Sequence, residues 1–210
     1  YIAEHVPGAK YIEYAYGGHL PYFGLEKQLA EDICVFFQKS SEITQLKKEK
    51  TDRLATILFT DIVDSTVKLS EFGDKAWSQI LDEHDRIIQA LAKKFSGKFI
   101  KNTGDGALLV FDGPIRAVSC AIDFSNAVKH LRIEIRCGLH IGSVERRGKD
   151  VSGIAVNIAA RVMDIDRGNN IIITKHLANL ISGSHVKLKD FGEYSLKGIE
   201  GSWPLLKVYE

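Results

Sequence analysis

Apolar residues recur along this chain with two different periods. In "DKAWSQILDEHDRIIQALAKKF" (74–95), Trp77, Ile80, Leu81, His84, Ile87, Ile88, Leu91 and Phe95 fall at helical spacing and predict a long amphipathic helix. "RLATILFTDIV" is instead a continuous apolar run of β type that ends at Asp61. "FIKNTGDGALLVF" (99–111) reads as a hairpin whose tip is Gly104-Asp105-Gly106. "PIRAVSCAIDFSNAVKHL" (114–131) predicts a second helix, with proline at its first position. Strands are expected over 133–142 and 170–174, helices over 153–166 and 175–181, and two or three short strands in the remainder.

From residue 54 to 141 the predicted order is strand, helix, strand, strand, helix, strand. That is the split β-α-β arrangement of an α+β, ferredoxin-like (βαββαβ) fold. Residues 1–38 have a different character, and the polar stretch 39–53, "KSSEITQLKKEKTDR", reads as an exposed helical connector between them and the domain 54–210. The chain begins in what looks like mid-fold, which is expected of a fragment.

Composition narrows the function classes. Of 210 residues, 45% are hydrophobic and 26% charged, enough for one good core. The formal net charge of +1, with charges interspersed, argues against a nucleic-acid polymer as partner. Cys34, Cys120 and Cys137 are far apart and odd in number, so neither a disulfide framework nor a zinc site is indicated, and a reducing cytoplasm fits best. No apolar run approaches the roughly 18 residues of a membrane helix, so no membrane partner is expected.

Asp61 and Asp105 carry the first chemical signal. Asp105 alone would be read as a turn residue. Asp61, however, directly ends an apolar strand and has no such excuse. In a ferredoxin-like sheet the first strand lies beside the hairpin, so the two carboxylates can converge. Such a pair suits Mg²⁺, which prefers carboxylate, water and substrate phosphate. It could hold two ions roughly 3.5–4 Å apart, as in-line phosphoryl chemistry requires. "DIVDST" also stands next to a helix start, where backbone N–H groups meet phosphates.

Together "LATILFTDIVDST", "KNTGDG", "GLHIGSVE" and "DVSGIAVNIAAR" resemble the class III nucleotidyl cyclase catalytic domain, in the expected order over about 54–210. The resemblance implies that Asp61, Asp105 and the Ile62 carbonyl bind two Mg²⁺ or Mn²⁺ per active site. It implies that Lys101, four residues before Asp105, and Asp150, seven before Asn157, read the purine. A lysine donor suits adenine N1 and a carboxylate acceptor suits the N6 amino group, whereas guanine reverses both. Asn157 and Arg161 share one helix face; by resemblance the asparagine orients the ribose and the arginine stabilises the α-phosphate transition state. Lys197 in "YSLKGIEG" would contact the β- and γ-phosphates. His140 and Cys137 are read as structural. The expected activity is an adenylate cyclase converting ATP to 3′,5′-cyclic AMP and pyrophosphate, in a homodimer with shared sites. The alternatives are a guanylate cyclase and a catalytically silent nucleotide-binding or dimerisation module. Two departures from the family pattern concern the short segment before Asp150, where many members have a longer dimerisation arm, and Ser152, where a bulky residue is common.

The front end, "VPGAKYIEYAYGGHLPYFG" followed by "LAEDICVFFQKS", resembles the last strand and helix of an α/β-hydrolase, with His19 at the position of that fold's catalytic histidine. The chain has no G-x-S-x-G elbow, so His19 has no triad here.

Overall fold

The computed structural model describes residues 5, 9, 11–13, 27–35 and 53–209. The chain divides into two units, Tyr1–Lys48 and Glu49–Glu210. In the first, residues 27–35 are helical and largely exposed. His19, most of the hydrolase-like segment and all of the connector except Arg53 lie outside the described residues. Among those described, no helix is long and apolar enough to cross a membrane.

The second unit is built on one eight-stranded sheet. β1 (Arg53–Ile62), β2 (Lys98–Asn102), β3 (Ala107–Phe111) and β4 (Ile135–Arg147) lie in the order β2-β3-β1-β4, each pair antiparallel. This is the ferredoxin-like core expected from the pattern. β6 (Ile171–Thr174) adds parallel to β4, and β8 (Ser202–Tyr209) and β7 (Lys187–Ser195) complete the far edge. The helices are α1 (Ser65–Phe72), α2 (Asp74–Lys94), α3 (Pro114–Ala127), α4 (Ile154–Ile165) and α5 (Lys175–Leu180). The helix expected over 114–131 changes to a 3₁₀ turn at Val128–Leu131.

Alternation along the strands divides the core between the sheet faces. Leu58, Ile62, Leu139 and Ile173 pack with α2, α3 and α5 residues such as Trp77, Ile88, Phe124 and Leu177. Ile57 and Ile172 point the other way, toward Ala155, Ala159 and Val162 of α4. Phe111, Phe124, Ile57 and Leu58 are fully buried, each contributing about 1.5–3 kcal/mol relative to exposure.

Gly138 and Gly142 explain how α4 comes so close. A Cβ at Gly138 would stand 2.3 Å from the Met163 nitrogen and 2.6 Å from the Ala159 carbonyl oxygen; one at Gly142 would stand 2.7 Å from the Ala155 Cβ. The glycines of "GLHIG" are therefore a seat for the helix that carries Asn157 and Arg161.

The segment before Asp150 differs from expectation. β4 does not stop near Ile141 but runs on to Arg147, and β5 (Asp150–Ser152) returns along it with Glu145 opposite Ser152. Gly148, at φ +62°, supplies the left-handed residue of the connecting turn. The alternation of Val144 with Glu145 and Arg146 was too polar to read as strand, but pairing with β5 satisfies its backbone.

Candidate active site

The two aspartates meet where β1 ends and β3 begins, at one end of interior strands of the sheet. Asp61 is the penultimate residue of β1, and Asp105 stands in the turn before β3, whose first residue Ala107 pairs with Thr60. A Cβ on Gly106 would fall 1.9 Å from the Thr60 carbonyl oxygen, so only glycine lets the turn lie against β1. Gly104, at φ +101°, provides the other half of the turn. The Thr60 hydroxyl fixes the junction by accepting the Ala107 N–H at 3.1 Å. The flanking glycines thus bring the Asp105 carboxylate to Asp61.

Burial raises the Asp61 carboxyl above its ordinary value; Arg136 opposes that rise by hydrogen bonding and charge, and Asp105 adds to it. A carboxylate whose ionisation is disfavoured by burial and by a neighbouring acid forms a site that a cation would relieve. The donor set, two carboxylates with the Ile62 backbone beside them, is hard and oxygen-only, which suits Mg²⁺ or Mn²⁺ completed by water and phosphate. Among the described residues no cluster of three or more His, Cys, Asp or Glu side chains competes for a metal.

A cleft of about 300 Å³ opens beside Asp61, lined by residues 61–67 together with Arg136 and Arg167. Asp64 takes a left-handed conformation, φ 53°, and starts α1 without a side-chain cap, so the first backbone N–H groups of that helix remain available to an anion. Arg136 donates from Nε to Asp61 Oδ2 at 2.9 Å, donates a second bond from Nη2 to the same oxygen, and reaches the Asp166 carbonyl from Nη1 at 3.2 Å. Sequence reasoning missed this arginine. Its signal was a cation in the strand "IEIRCGLHIG" directly before the buried Cys137, and only the register Asp61↔Arg136 reveals its use.

The purine-reading candidates come together on their own. Lys101, near the end of β2, donates from Nζ to Asp150 Oδ2 at 2.6 Å across 49 positions of sequence. Both side chains are about half exposed. The Lys101 hydrogen bond, followed by the Val151 N–H, holds the Asp150 carboxyl below its usual range. Next to them on β5, the Ser152 hydroxyl is buried without a hydrogen-bond partner among the described residues.

Asn157 and Arg161 lie on α4, the first exposed and the second partly so. Arg161 donates from Nη1 to Asp164 Oδ2 at 3.0 Å, a contact one helical turn away. Lys197 is exposed in the turn between β7 and β8. None of these three lines the Asp61 cleft. Within one chain, then, the sequence-predicted residues form separate groups: Asp61, Ile62 and Asp105 at the strand ends, Lys101 with Asp150, Asn157 with Arg161 on α4, and Lys197 by itself in the turn between β7 and β8.

The residues read as structural are so placed. His140 is 6% exposed, shares a hydrogen bond with the Thr174 hydroxyl at 3.0 Å and packs edge-on against Trp203 and His176. Burial, reinforced by His176, lowers its pKa to about 4. Cys137 is buried and its thiol is pushed far up by that burial.

Known proteins match this chain along the same elements. The family model of the adenylate and guanylate cyclase catalytic domain matches residues 46–207. "Putative adenylate cyclase 3" of Rhizobium meliloti is 27% identical over 158 residues, 70% of this chain but 27% of that protein, so the chain spans about a quarter of that relative's length. Among solved structures, the adenylyl cyclase CyaB from P. aeruginosa superposes with a TM-score of 0.71 at 24% identity, covering 77% of this chain and 96% of that one. The catalytic core of a rhodopsin-guanylyl cyclase with converted specificity, in complex with ATPalphaS, superposes with a TM-score of 0.69 at 25% identity, covering 75% and 96%. With the family model spanning all but the last two residues of the sheet, both aspartates and α4, the chain belongs to the adenylate and guanylate cyclase catalytic domain family.

Proposed function

We propose that the domain is an adenylate cyclase, forming 3′,5′-cyclic AMP and pyrophosphate from ATP at sites shared between two copies of the chain. The observation that carries the choice of base is the contact between Lys101 and Asp150. Adenine presents an acceptor, N1, beside a donor, the N6 amino group. A lysine Nζ beside a carboxylate presents the complementary pair. Guanine in the same pose offers a donor and an acceptor in the reverse order and leaves both protein groups mispaired, which discriminates strongly.

Divalent ions bound by Asp61, Asp105 and the Ile62 carbonyl would acidify the ribose 3′-hydroxyl and neutralise phosphate charge. The chain's own groups do the rest. Asp61 and Asp105 set where the 3′-oxygen and the α-phosphate meet. The α1 N-terminus and Arg136 offer N–H donors to the polyphosphate in the cleft. Asn157 holds the ribose, and the planar Arg161 fork meets charge growing on the α-phosphate. Lys197 supports the departing pyrophosphate.

Sharing of sites is supported by the separation of these groups within one chain. Arg161 and Asn157 face outward on α4, while the metal carboxylates open at the strand ends. A twofold pair would give each site carboxylates from one copy and Lys101, Asp150, Asn157, Arg161 and Lys197 from the other. For residues 1–38 we propose, on the sequence resemblance alone, the end of an α/β-hydrolase-like domain.

The experiment is direct. The protein is incubated with ATP or GTP and Mn²⁺ or Mg²⁺, and the product is identified by mass. Cyclic AMP as the main product is expected. Cyclic GTP-derived product in excess would make it a guanylate cyclase, and no product with either nucleotide would leave a binding module.

A further inference from the structure

We propose that Arg167 is a second polyphosphate-binding arginine, supplied by the same copy that holds the metal carboxylates; this rests on the cyclase reading above. The loop 166–170 leaves α4 and enters β6, whose first residue, Ile171, lies beside Cys137 of β4. Because Ile62 pairs with Ile135, the start of β4 is also where β1 ends. The register therefore delivers this loop to the strand ends that carry Asp61, and Arg167 lines the same cleft as residues 61–67.

The loop is held in that place by two hydrogen bonds to neighbouring elements and one of its own. Asp166 accepts from Arg136 Nη1 through its carbonyl and from the Asn170 N–H through Oδ2, at 3.2 and 3.1 Å. Asn169 donates to Glu134 Oε1 at 2.9 Å. Arg136 is thus a hinge pin, holding Asp61 with one edge of its guanidinium and the Arg167 loop with the other.

The two arginines of the cleft differ in what they already hold. Arg136 is engaged with Asp61 and Asp166. Arg167 makes no ion pair or hydrogen bond among the described residues, although Asp64 and Asp61 line the same cleft. A solvated surface arginine would account for the exposure, but not for its place in the same cleft as uncapped helix N–H groups, on a loop held by the residue that also binds Asp61. The chemistry that matches a free guanidinium, backbone N–H donors and two carboxylates suited to divalent cations is a metal-complexed polyphosphate. Arg167 would meet the terminal phosphates, away from the α-phosphate on which Arg161 acts.

The test uses Arg167→Gln and Arg167→Lys in the whole chain, with Lys187→Gln as a control for loss of one distant surface charge. Binding of inorganic triphosphate with Mg²⁺ is measured by calorimetry, and pyrophosphate inhibition and nucleotide KM are measured in the cyclase assay. Arg167→Gln is expected to weaken triphosphate binding and pyrophosphate inhibition about tenfold, with partial recovery in Arg167→Lys and no change in Lys187→Gln. Wild-type affinity for triphosphate in Arg167→Gln, with wild-type melting, would overturn the inference while leaving the cyclase reading intact. Equal weakening in Arg167→Gln and Lys187→Gln would also overturn it, since bulk charge would then account for the effect. Absence of both cyclic product and triphosphate binding in the unmutated protein would instead bring down the cyclase reading itself.

Discussion

The strand ends around Asp61 and the exposed pairs, Lys101 with Asp150 and Arg161 with Asp164, are built on different principles. At the strand ends, backbone geometry does the assembly: Gly106 permits contact with Thr60, the Asp105 turn follows, and Arg136 ties Asp61 to the next loop. Its central carboxylate is half-buried, with its pKa raised by burial and by a neighbouring charge of the same sign. In the exposed pairs the side chains satisfy each other. One region is prepared at a cost in electrostatic energy that a cation would offset. The other is neutralised locally by its own ion pairs.

The largest effect expected from this difference is at the strand ends. Asp61→Ala or Asp105→Ala should lower cyclic AMP formation by about a thousandfold or more with saturating Mn²⁺, since several kcal/mol of charge stabilisation depend on the metal. Melting should stay near wild type, because neither carboxylate belongs to the core. Arg161→Ala should be nearly as inactive. Co-refolding Asp61→Ala with Arg161→Ala sharpens the contrast, since a mixed pair gathers both lesions in one site and leaves the other intact. Half the pairs form as mixtures with half their sites good, so activity should return to roughly a quarter of wild type. Verified mixed pairs without recovery would mean that each chain completes its own site.

A smaller effect is expected at Lys101 and Asp150, the pair proposed to read the base. Lys101→Glu combined with Asp150→Cys should lower the ratio of kcat/KM for ATP over GTP by about tenfold to a hundredfold, as expected for mispaired polar groups worth about 1–3 kcal/mol. An unchanged ratio would show that the pair does not touch the purine.

The smallest expected consequence for catalysis lies in the buried scaffold behind both regions. His140 is held neutral, with a folded pKa of about 4 against an ordinary 6.5. A depressed histidine pKa means that the unfolded chain binds its proton first. The stability associated with a neutral His140 is therefore complete above pH 6.5 and is lost as pH falls toward 4, by about 3 kcal/mol in total. His140→Asn should flatten the denaturation midpoint against pH across that window. Parallel curves for the two proteins would mean that another group dominates the acid limb.

Much of this was legible beforehand because it depends on local periodicity. The 3.6-residue stripe of α2 and the apolar runs of β1 and β3 announce themselves, and their order implies β2-β3-β1-β4. The carboxylates were visible as polar residues at the ends of apolar strands, and the spacing of Lys101 from Asp105 and of Asp150 from Asn157 carried the family pattern. β5 and the outer half of β4 were not legible, since their polar residues are stabilised by pairing with each other and not by a buried face. The start of α1 was legible next to "DIVDST", but its extent was not, since the helix has no buried residue and a left-handed Asp64 in place of a side-chain cap.

What the sequence determined by itself was the order of elements, the two acids and the family to which their spacing belongs, because these follow from residue types and distances along one dimension. What only the tertiary structure decided was which groups meet. Arg136 finds Asp61 because antiparallel register places residues 75 positions apart side by side. Lys101 meets Asp150 because β5 folds back beside β2. Arg167 reaches the cleft because β6 runs parallel to β4 and starts on the side where β1 ends. No local pattern encodes such meetings; they are consequences of strand register and of the close approach that Gly106 and Gly138 permit.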